Sequence, residues 1–209
     1  MPTRPRQPIS YSSSVDPAQP IFRLRIELDR TEPTIWRRIE MPASSTFWEL
    51  HVAIQDAFGW LDYHVHEFEV GPVAIGVPDD YAEKPIVPGW SVTLSEQLGK
   101  VRTCSYLYDF GDCWRHTIHL EDVRESDGGG YPRCLAGENA APPEDCGGVH
   151  GFQELLDALN KPRSAAYREL REWLKNRHAK VYWPFKPQAF DPAKVVFHDP
   201  AERLNRLSA

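Results

Sequence analysis

The chain lacks any run of about 18 apolar residues, the length a helix needs to cross a bilayer, so no membrane span is expected. It is also poor in cysteine. Cys104, Cys113, Cys134 and Cys146 are too few among 209 residues for a disulfide scaffold, and they read as reduced thiols of a cytoplasmic protein. A basic excess is missing too: the formal net charge is -6. Nonspecific nucleic-acid binding draws its affinity from neutralising phosphates, so the overall balance argues against that partner. Arg23, Arg25, Arg37 and Arg38 lie close together in sequence and could form a local basic face. There is no GxxxxGK[ST], no GxGxxG and no HExxH. Gly128-Gly129-Gly130 has no lysine after it and reads as a flexible loop. Residues 1–20 have no apolar centre, which argues against a secretory signal.

What the chain does have is a core supply. It is 41% hydrophobic and 11% aromatic, far above what a disordered segment carries. Five prolines from Pro2 to Pro20 make residues 1–19 an expected disordered tail; residues 20–200 then form a single domain and 201–209 a C-terminal tail. Ile21 to Asp29 alternates apolar and charged residues with period two, the mark of a half-buried strand. Thr34 to Met41 follows at hairpin distance. Thr46 and Glu49 form a capping box, and Phe47, Leu50, Ile54 and Phe58 then recur at helical spacing up to Gly59. Val65 to Val70 is a further strand. Residues 71–100 read as a long excursion with short strands. The strongest hairpin spans Ser105 to Val123, with Tyr106, Tyr108 and Phe110 in one row and Trp114, His116, Ile118 and Leu120 in the other; Gly111-Asp112 supplies the turn. Residues 124–149 are a Gly/Pro-rich loop. Helices follow at about 152–159 and 165–177, then the aromatic anchors Phe185, Phe190 and Phe197 before a short basic helix or coil. This order predicts an α+β fold with a mixed or antiparallel sheet and packed helices, with a β-grasp-like core suggested by the opening hairpin and helix.

Three constellations carry possible chemistry. The first gathers His64, His66, Asp109, Asp112 and His116 about the hairpin. A His-x-His pair on a strand puts two imidazoles on one face, a spacing that metal sites use. An enclosed His116 must find a hydrogen-bond partner or stay uncharged, and Asp109 or Asp112 is the nearest choice. The competing reading is structural: Asp112 caps the turn and His116 is a satisfied core residue. The second is Cys134 with Cys146. Eleven residues separate them, more than the two to four usual for zinc ligand pairs, so a buried structural role competes with metal binding. Nucleophilic use of Cys113 is disfavoured by the negative charge of the adjacent Asp112. The third is Arg37, which shares a strand face with Ile35 and Ile39. A buried arginine needs a carboxylate partner or binds an anion. The candidate binding set is therefore Arg37, Tyr108, Asp109, Asp112, Trp114 and His116. The candidate metal set, for a divalent cation such as zinc, is His64, His66, Asp112, His116, Cys134 and Cys146.

Several segments together resemble a known family. They are Ile35-Trp36-Arg37-Arg38, Leu50-His51 with Ile54-Gln55, Phe58-Gly59-Trp60, His64-x-His66-x-Phe68, Tyr108-Asp109-Phe110-Gly111-Asp112 with Trp114 and His116, and Pro142-Pro-Glu-Asp-Cys146-Gly-Gly. In this order they resemble the Ri-plasmid ORF-three family, over about residues 20–200. The resemblance implies an α+β fold and a genetic setting on plasmids and mobile elements. Its members are often labelled as transposon passenger or TnpR-like proteins. The residues do not support a resolvase: the serines at 10–14 lie in a proline-rich tail, and no helix-turn-helix follows. The expectation is a non-enzymatic accessory module holding a protein segment or small anion beside the aromatic hairpin. The alternative is a metal-dependent protein or hydrolase using the His/Asp cluster.

Overall fold

The computed structural model describes residues 13–14, 18–79, 82 and 84–207. Most of the expected N-terminal tail lies outside these residues. Within it, Ser13–Ser14 (β1) pairs antiparallel with Gly130–Tyr131 (β9). The main sheet is built from Pro20–Leu28 (β2), Ile35–Pro42 (β3), His66–Val70 (β4), Val73–Gly76 (β5), Ile86–Pro88 (β6), Thr103–Tyr108 (β7), Trp114–Glu125 (β8) and Arg133–Glu138 (β10). Its strand order is β10-β3-β2-β8-β7-β4-β5-β6. Neighbours are antiparallel except β5 and β6, which run parallel at one edge. Helices Phe47–Phe58 (α1), Leu94–Val101 (α2), Gly148–Leu159 (α3), Ala165–Lys175 (α4) and Pro200–Leu207 (α5) complete an α+β fold.

Period-two patterning sets one buried face. Leu24, Ile26 and Leu28 of β2, Ile39 and Met41 of β3, Phe68 of β4, Tyr106 and Tyr108 of β7 and Trp114 and Ile118 of β8 are all enclosed in one core. The cover is α1, whose Phe47, Leu50, Ile54 and Phe58 are buried as the helical spacing requires. Burying each such side chain is worth roughly 1.5–3 kcal/mol, which is why α1 stays on the sheet. The Thr46/Glu49 capping box forms, and Gly59 closes the helix in the left-handed conformation at φ 75°. A second capping box, Thr93/Glu96, opens α2 beside it. The two helix starts are tied together by Phe47 N to Val92 O at 3.1 Å and Leu94 N to Ser45 O at 2.8 Å.

Four expectations are corrected. Phe110 does not continue the aromatic row. The strand ends at Tyr108, Asp109 turns the chain at φ 56°, and Phe110 is left exposed. The turn chemistry comes from Asp109, whose Oδ1 accepts from Gly111 N at 2.9 Å and Asp112 N at 3.2 Å. The 124–149 loop contains an edge strand, β10, which pairs with β3 from Arg133 opposite Glu40 to Glu138 opposite Trp36. Its mixed burial and its bulge near Cys134 hide the alternation that would have marked it. Residues 94–101 of the excursion are the helix α2. The short helix or coil expected after Phe197 is the helix α5, and Trp48 Nε1 of α1 donates to Pro200 O at 2.8 Å. The opening hairpin and the helix after it, which prompted the β-grasp expectation, are present as β2, β3 and α1.

Candidate functional site

The sheet's buried face carries polar side chains as well as apolar ones, because a period-two strand cannot skip a position. His66, Tyr106, His116 and Arg37 all point under α1 and are almost completely enclosed. Each must be neutralised, hydrogen-bonded, or left wanting.

Arg37 is fully provided for, though not as expected. Among the described residues it meets no carboxylate. Nε donates to Ala57 O at 2.8 Å, at the C-terminal end of α1. Nη1 donates to Trp36 O at 2.8 Å and Glu138 O at 2.9 Å, and Nη2 to Asn139 O at 2.9 Å. The guanidinium also lies against the Phe190 ring, 3.7 Å from its centroid. Four of its five N–H groups are thus spent on carbonyl oxygens, which leaves too little for a two-pronged carboxylate clamp. Burial lowers its pKa to about 10. Its role is to pin the end of α1 to the β3–β10 edge.

His116 is a core residue. Its ring stands edge-on to Phe58 and Trp60, and Nδ1 lies 3.3 Å from Tyr106 O. Burial drives its pKa down to about 3. Neither Asp109 nor Asp112 is its partner. Asp112 Oδ2 instead accepts from Gly147 N at 3.1 Å, at the start of α3. Trp114 is buried in the core against Trp60. Tyr108 donates to the buried Glu144, Oη to Oε1 2.5 Å; Glu144 Oε2 also accepts from Leu61 N at 3.0 Å and Tyr182 Oη at 3.2 Å. Burial and this carboxylate hold the Tyr108 phenol well above its ordinary range. Cys134 and Cys146 are unpaired thiols. Burial raises the Cys134 pKa to about 11, and burial together with Asp112 raises Cys146 further. Among the described residues, neither cysteine joins a group of three metal-capable side chains, and nor do His66, Asp112 or His116.

The structure gathers other residues instead. His51 of α1 lies flat on His66 of β4, ring centroids 3.5 Å apart and planes 8° from parallel. Both nitrogens of His51 are engaged: Nδ1 is 2.8 Å from Tyr106 Oη and Nε2 is 2.8 Å from Asp62 Oδ1. Gln55 Nε2 donates to Tyr106 Oη at 3.0 Å, and Arg203 Nη1 of α5 donates to Asp62 Oδ2 at 2.8 Å. With Nε2 of His51 protonated, one direction of donation satisfies the chain: Gln55 to Tyr106 to His51 to Asp62, with Arg203 closing on Asp62. Burial opposes the charge on Asp62, yet His51 and then Arg203 hold its carboxyl well below the usual range. Arg203 also pairs with Asp56, which accepts from the backbone N–H of His198 at 2.8 Å. These pairs dock α5 onto α1.

Between α1, the 61–66 segment and α5 lies a cavity of about 470 Å³. Trp48, Leu61 and Val77 give it apolar wall; His51, Asp62, His64, His66 and Arg203 give it polar wall. His66 Nε2 is buried without a hydrogen-bond partner, and so is His64 Nε2. His66 stays neutral, since burial and then the neighbouring His51 push its pKa well below the ordinary value. At the far side of His64, Nε2 lies 3.5 Å from Asp109 Oδ2 and 3.2 Å from Asp145 Oδ1. These three form a group whose ligand atoms all lie within 4.8 Å of one another.

Of the residues singled out in the sequence, His64 and His66 line this cavity and Asp109 lies beside His64, while His51, Asp62, Asp145 and Arg203, which sequence reasoning did not single out, stand with them. A signal existed for two of them: His51 and Asp145 fall inside the segments that carried the family resemblance. Asp62 and Arg203 had none. The basic face expected from Arg23, Arg25 and Arg38 is neutralised by ion pairs to Glu40, Glu27 and Glu121, at 2.6, 3.0 and 2.6 Å.

Fold and site define an α+β protein with a helix-covered mixed, mainly antiparallel sheet and a histidine-walled cavity beside α1. Residues 20–194 match the plasmid pRiA4b ORF-3-like protein family, and the chain belongs to it. It is similar to the uncharacterized protein y4hQ of Sinorhizobium fredii (strain NBRC 101917 / NGR234), at 36% identity over 155 residues, 73% of this chain and 80% of that protein. It is also similar to the crystal structure of the protein of unknown function MM3350 from Methanosarcina mazei Go1. There the TM-score is 0.74 and the identity 37%, covering 86% of this chain and 99% of the other. Among the described residues no helix is long and apolar enough to cross a membrane.

Proposed function

We propose that this chain is a non-enzymatic binding module whose ligand is a small polar molecule held in the cavity between α1, the 61–66 segment and α5. One observation carries the reading: His66, a residue of the cavity wall, keeps its Nε2 buried and without a hydrogen-bond partner among the described residues. A buried polar group left unsatisfied costs roughly 1–3 kcal/mol, and a ligand that bonds to it recovers that cost. The volume fits a small molecule. The apolar wall of Trp48, Leu61 and Val77 would cover the ligand's body while His66 fixes its orientation. The charge of the lining disfavours an anion, since Asp62, Asp199 and Glu202 outnumber Arg203 and Arg206. The thiols of Cys104, Cys134 and Cys146 and the phenols of Tyr106 and Tyr108 are all held protonated by burial, so none of them is an activated nucleophile. The mobile-element setting that the resemblance implies is compatible with such an accessory role.

The test uses the full chain with ¹⁵N-labelled histidine. Small amides, alcohols and amines are added one at a time while the ring nitrogens of His66 are observed. Binding in the cavity shifts the His66 signals, and Val77→Trp, which fills the cavity from its apolar side, abolishes the shift. The reading is lost if no fragment moves His66, or if Val77→Trp leaves the response unchanged.

A further inference from the structure

We propose that His64, Asp109 and Asp145 form a binding site for a divalent transition-metal cation of the Zn²⁺ or Mn²⁺ type. The residues come from three separate places, the segment before β4, the β7–β8 turn and the approach to α3, and meet only in the folded chain. His64 Nε2 is buried and faces two carboxylate oxygens at 3.2 and 3.5 Å, yet makes a hydrogen bond to neither. A cation with bonds of about 2.0–2.2 Å holds neighbouring donor atoms about 3.3–3.6 Å apart in tetrahedral arrangement and about 2.8–3.1 Å apart in octahedral arrangement. The observed separations of 3.2 and 3.5 Å lie close to the tetrahedral edges.

The carboxylates are also oriented from behind. Asp109 Oδ1 is occupied by Gly111 N and Asp112 N, which leaves Oδ2 turned to His64. Asp145 Oδ2 accepts from Tyr63 Oη at 3.2 Å, with Oδ1 on the His64 side. Holding one oxygen of each carboxylate while presenting the other is how outer-shell groups aim metal ligands. Asp109 is 92% buried at its side chain, where a carboxylate gains most from a nearby cation. One imidazole and two carboxylates suit Zn²⁺ or Mn²⁺ better than Mg²⁺ or Ca²⁺, which prefer all-oxygen sets. Three protein donors leave at least one position open. His64 also lines the cavity, so the cation would stand at its edge. The inference stands apart from the small-molecule reading: His66 carries that one, and His66 is not a ligand here.

The experiment is calorimetry and thermal melting of the full chain, stripped with chelator and then titrated with ZnCl₂, MnCl₂, MgCl₂ or CaCl₂. Cys113→Ser is included because that thiol is exposed and thiols bind Zn²⁺. The expected result is one equivalent of Zn²⁺ or Mn²⁺ and a rise in Tm of roughly 5–10 °C at a hundredfold excess over Kd. His64→Gln and Asp145→Asn should each weaken binding by at least about tenfold. Asp145 is partly exposed, so its variant should melt close to the native apo chain, which keeps a binding loss separable from unfolding. Tyr63→Phe keeps all three ligands and should give a smaller loss. No bound cation in the native chain would overturn the proposal, with His64 then simply an ion-pair partner of the two aspartates. Equal affinity in both ligand variants would overturn it as well.

Discussion

Lowering the pH from 7 to 5 should cost this protein about 2 kcal/mol of stability through His116 and a further loss of the same sign through His66, two histidines that the fold refuses to charge. His116 sits under α1 against Phe58, Trp60 and Tyr106, and its pKa falls to about 3. His66 is displaced in the same direction by burial and by the ring stacked on it. In the unfolded chain both return to the ordinary value near 6.5. The sign follows from proton counts. Above about pH 6.5 neither state binds the proton and stability is full. Below it the unfolded state takes up protons that the native state refuses, so unfolding gains about 1.4 kcal/mol per pH unit per histidine. Between pH 7 and 5 His116 contributes about 2 kcal/mol, out of a total stability of about 5–15 kcal/mol for a typical domain, and His66 adds to the loss in the same direction. The assay is urea unfolding followed by tryptophan fluorescence at pH 7, 6 and 5. His116→Leu should remove about 2 kcal/mol of the loss, and His116→Leu with His66→Phe should nearly abolish it. A native chain whose stability is flat from pH 7 to 5 would refute the reasoning. So would a His116→Leu protein that keeps the full slope. Asp62 acts in a different window: its folded pKa is depressed, so its contribution is full above about pH 4 and drains only as pH falls below that.

Other perturbations test single joints of the structure. Arg37→Lys keeps the charge but cannot reach four carbonyl oxygens at once, so it should lose about 2–4 kcal/mol, measured by chemical denaturation. Arg203→Ala leaves Asp56 and Asp62 without their guanidinium and should cost about 2–4 kcal/mol. Hydrogen exchange should show α5 losing protection before the sheet does; uniform loss would mean that α5 is not a separate dock. Gly151→Ala puts a Cβ 1.8 Å from Cys146 O and should destabilise by more than about 3 kcal/mol, read as a drop in Tm; a near-native melt would show that the entry to α3 yields more readily than its packing implies.

The reach of the sequence can be judged element by element. Period-two and helical spacing are local properties, so β2, β3, α1 and the β7–β8 pair were legible within a few residues, as were the capping box at Thr46 and the left-handed stop at Gly59. α2 has its own capping box at Thr93 and Glu96 and could have been found the same way. β10 could not, because an edge strand with a bulge and mixed exposure shows no clean alternation.

By itself the sequence determined that an amphipathic sheet face exists and that His66, His116 and Arg37 lie on it, because alternation assigns a residue to a face whatever its chemistry. It also singled out His64 and Asp109 as groups in need of explanation. Only the tertiary structure decided who answers them. Arg37 is met by carbonyl oxygens from α1 and β10, His51 is joined to Asp62 and Arg203 across 152 residues of chain, and Asp145 arrives beside His64 from a loop 81 residues away. Such partnerships depend on loop paths and helix docking, which no local spacing encodes. For that reason the His/Asp cluster read from the sequence kept its place in the fold but changed most of its members.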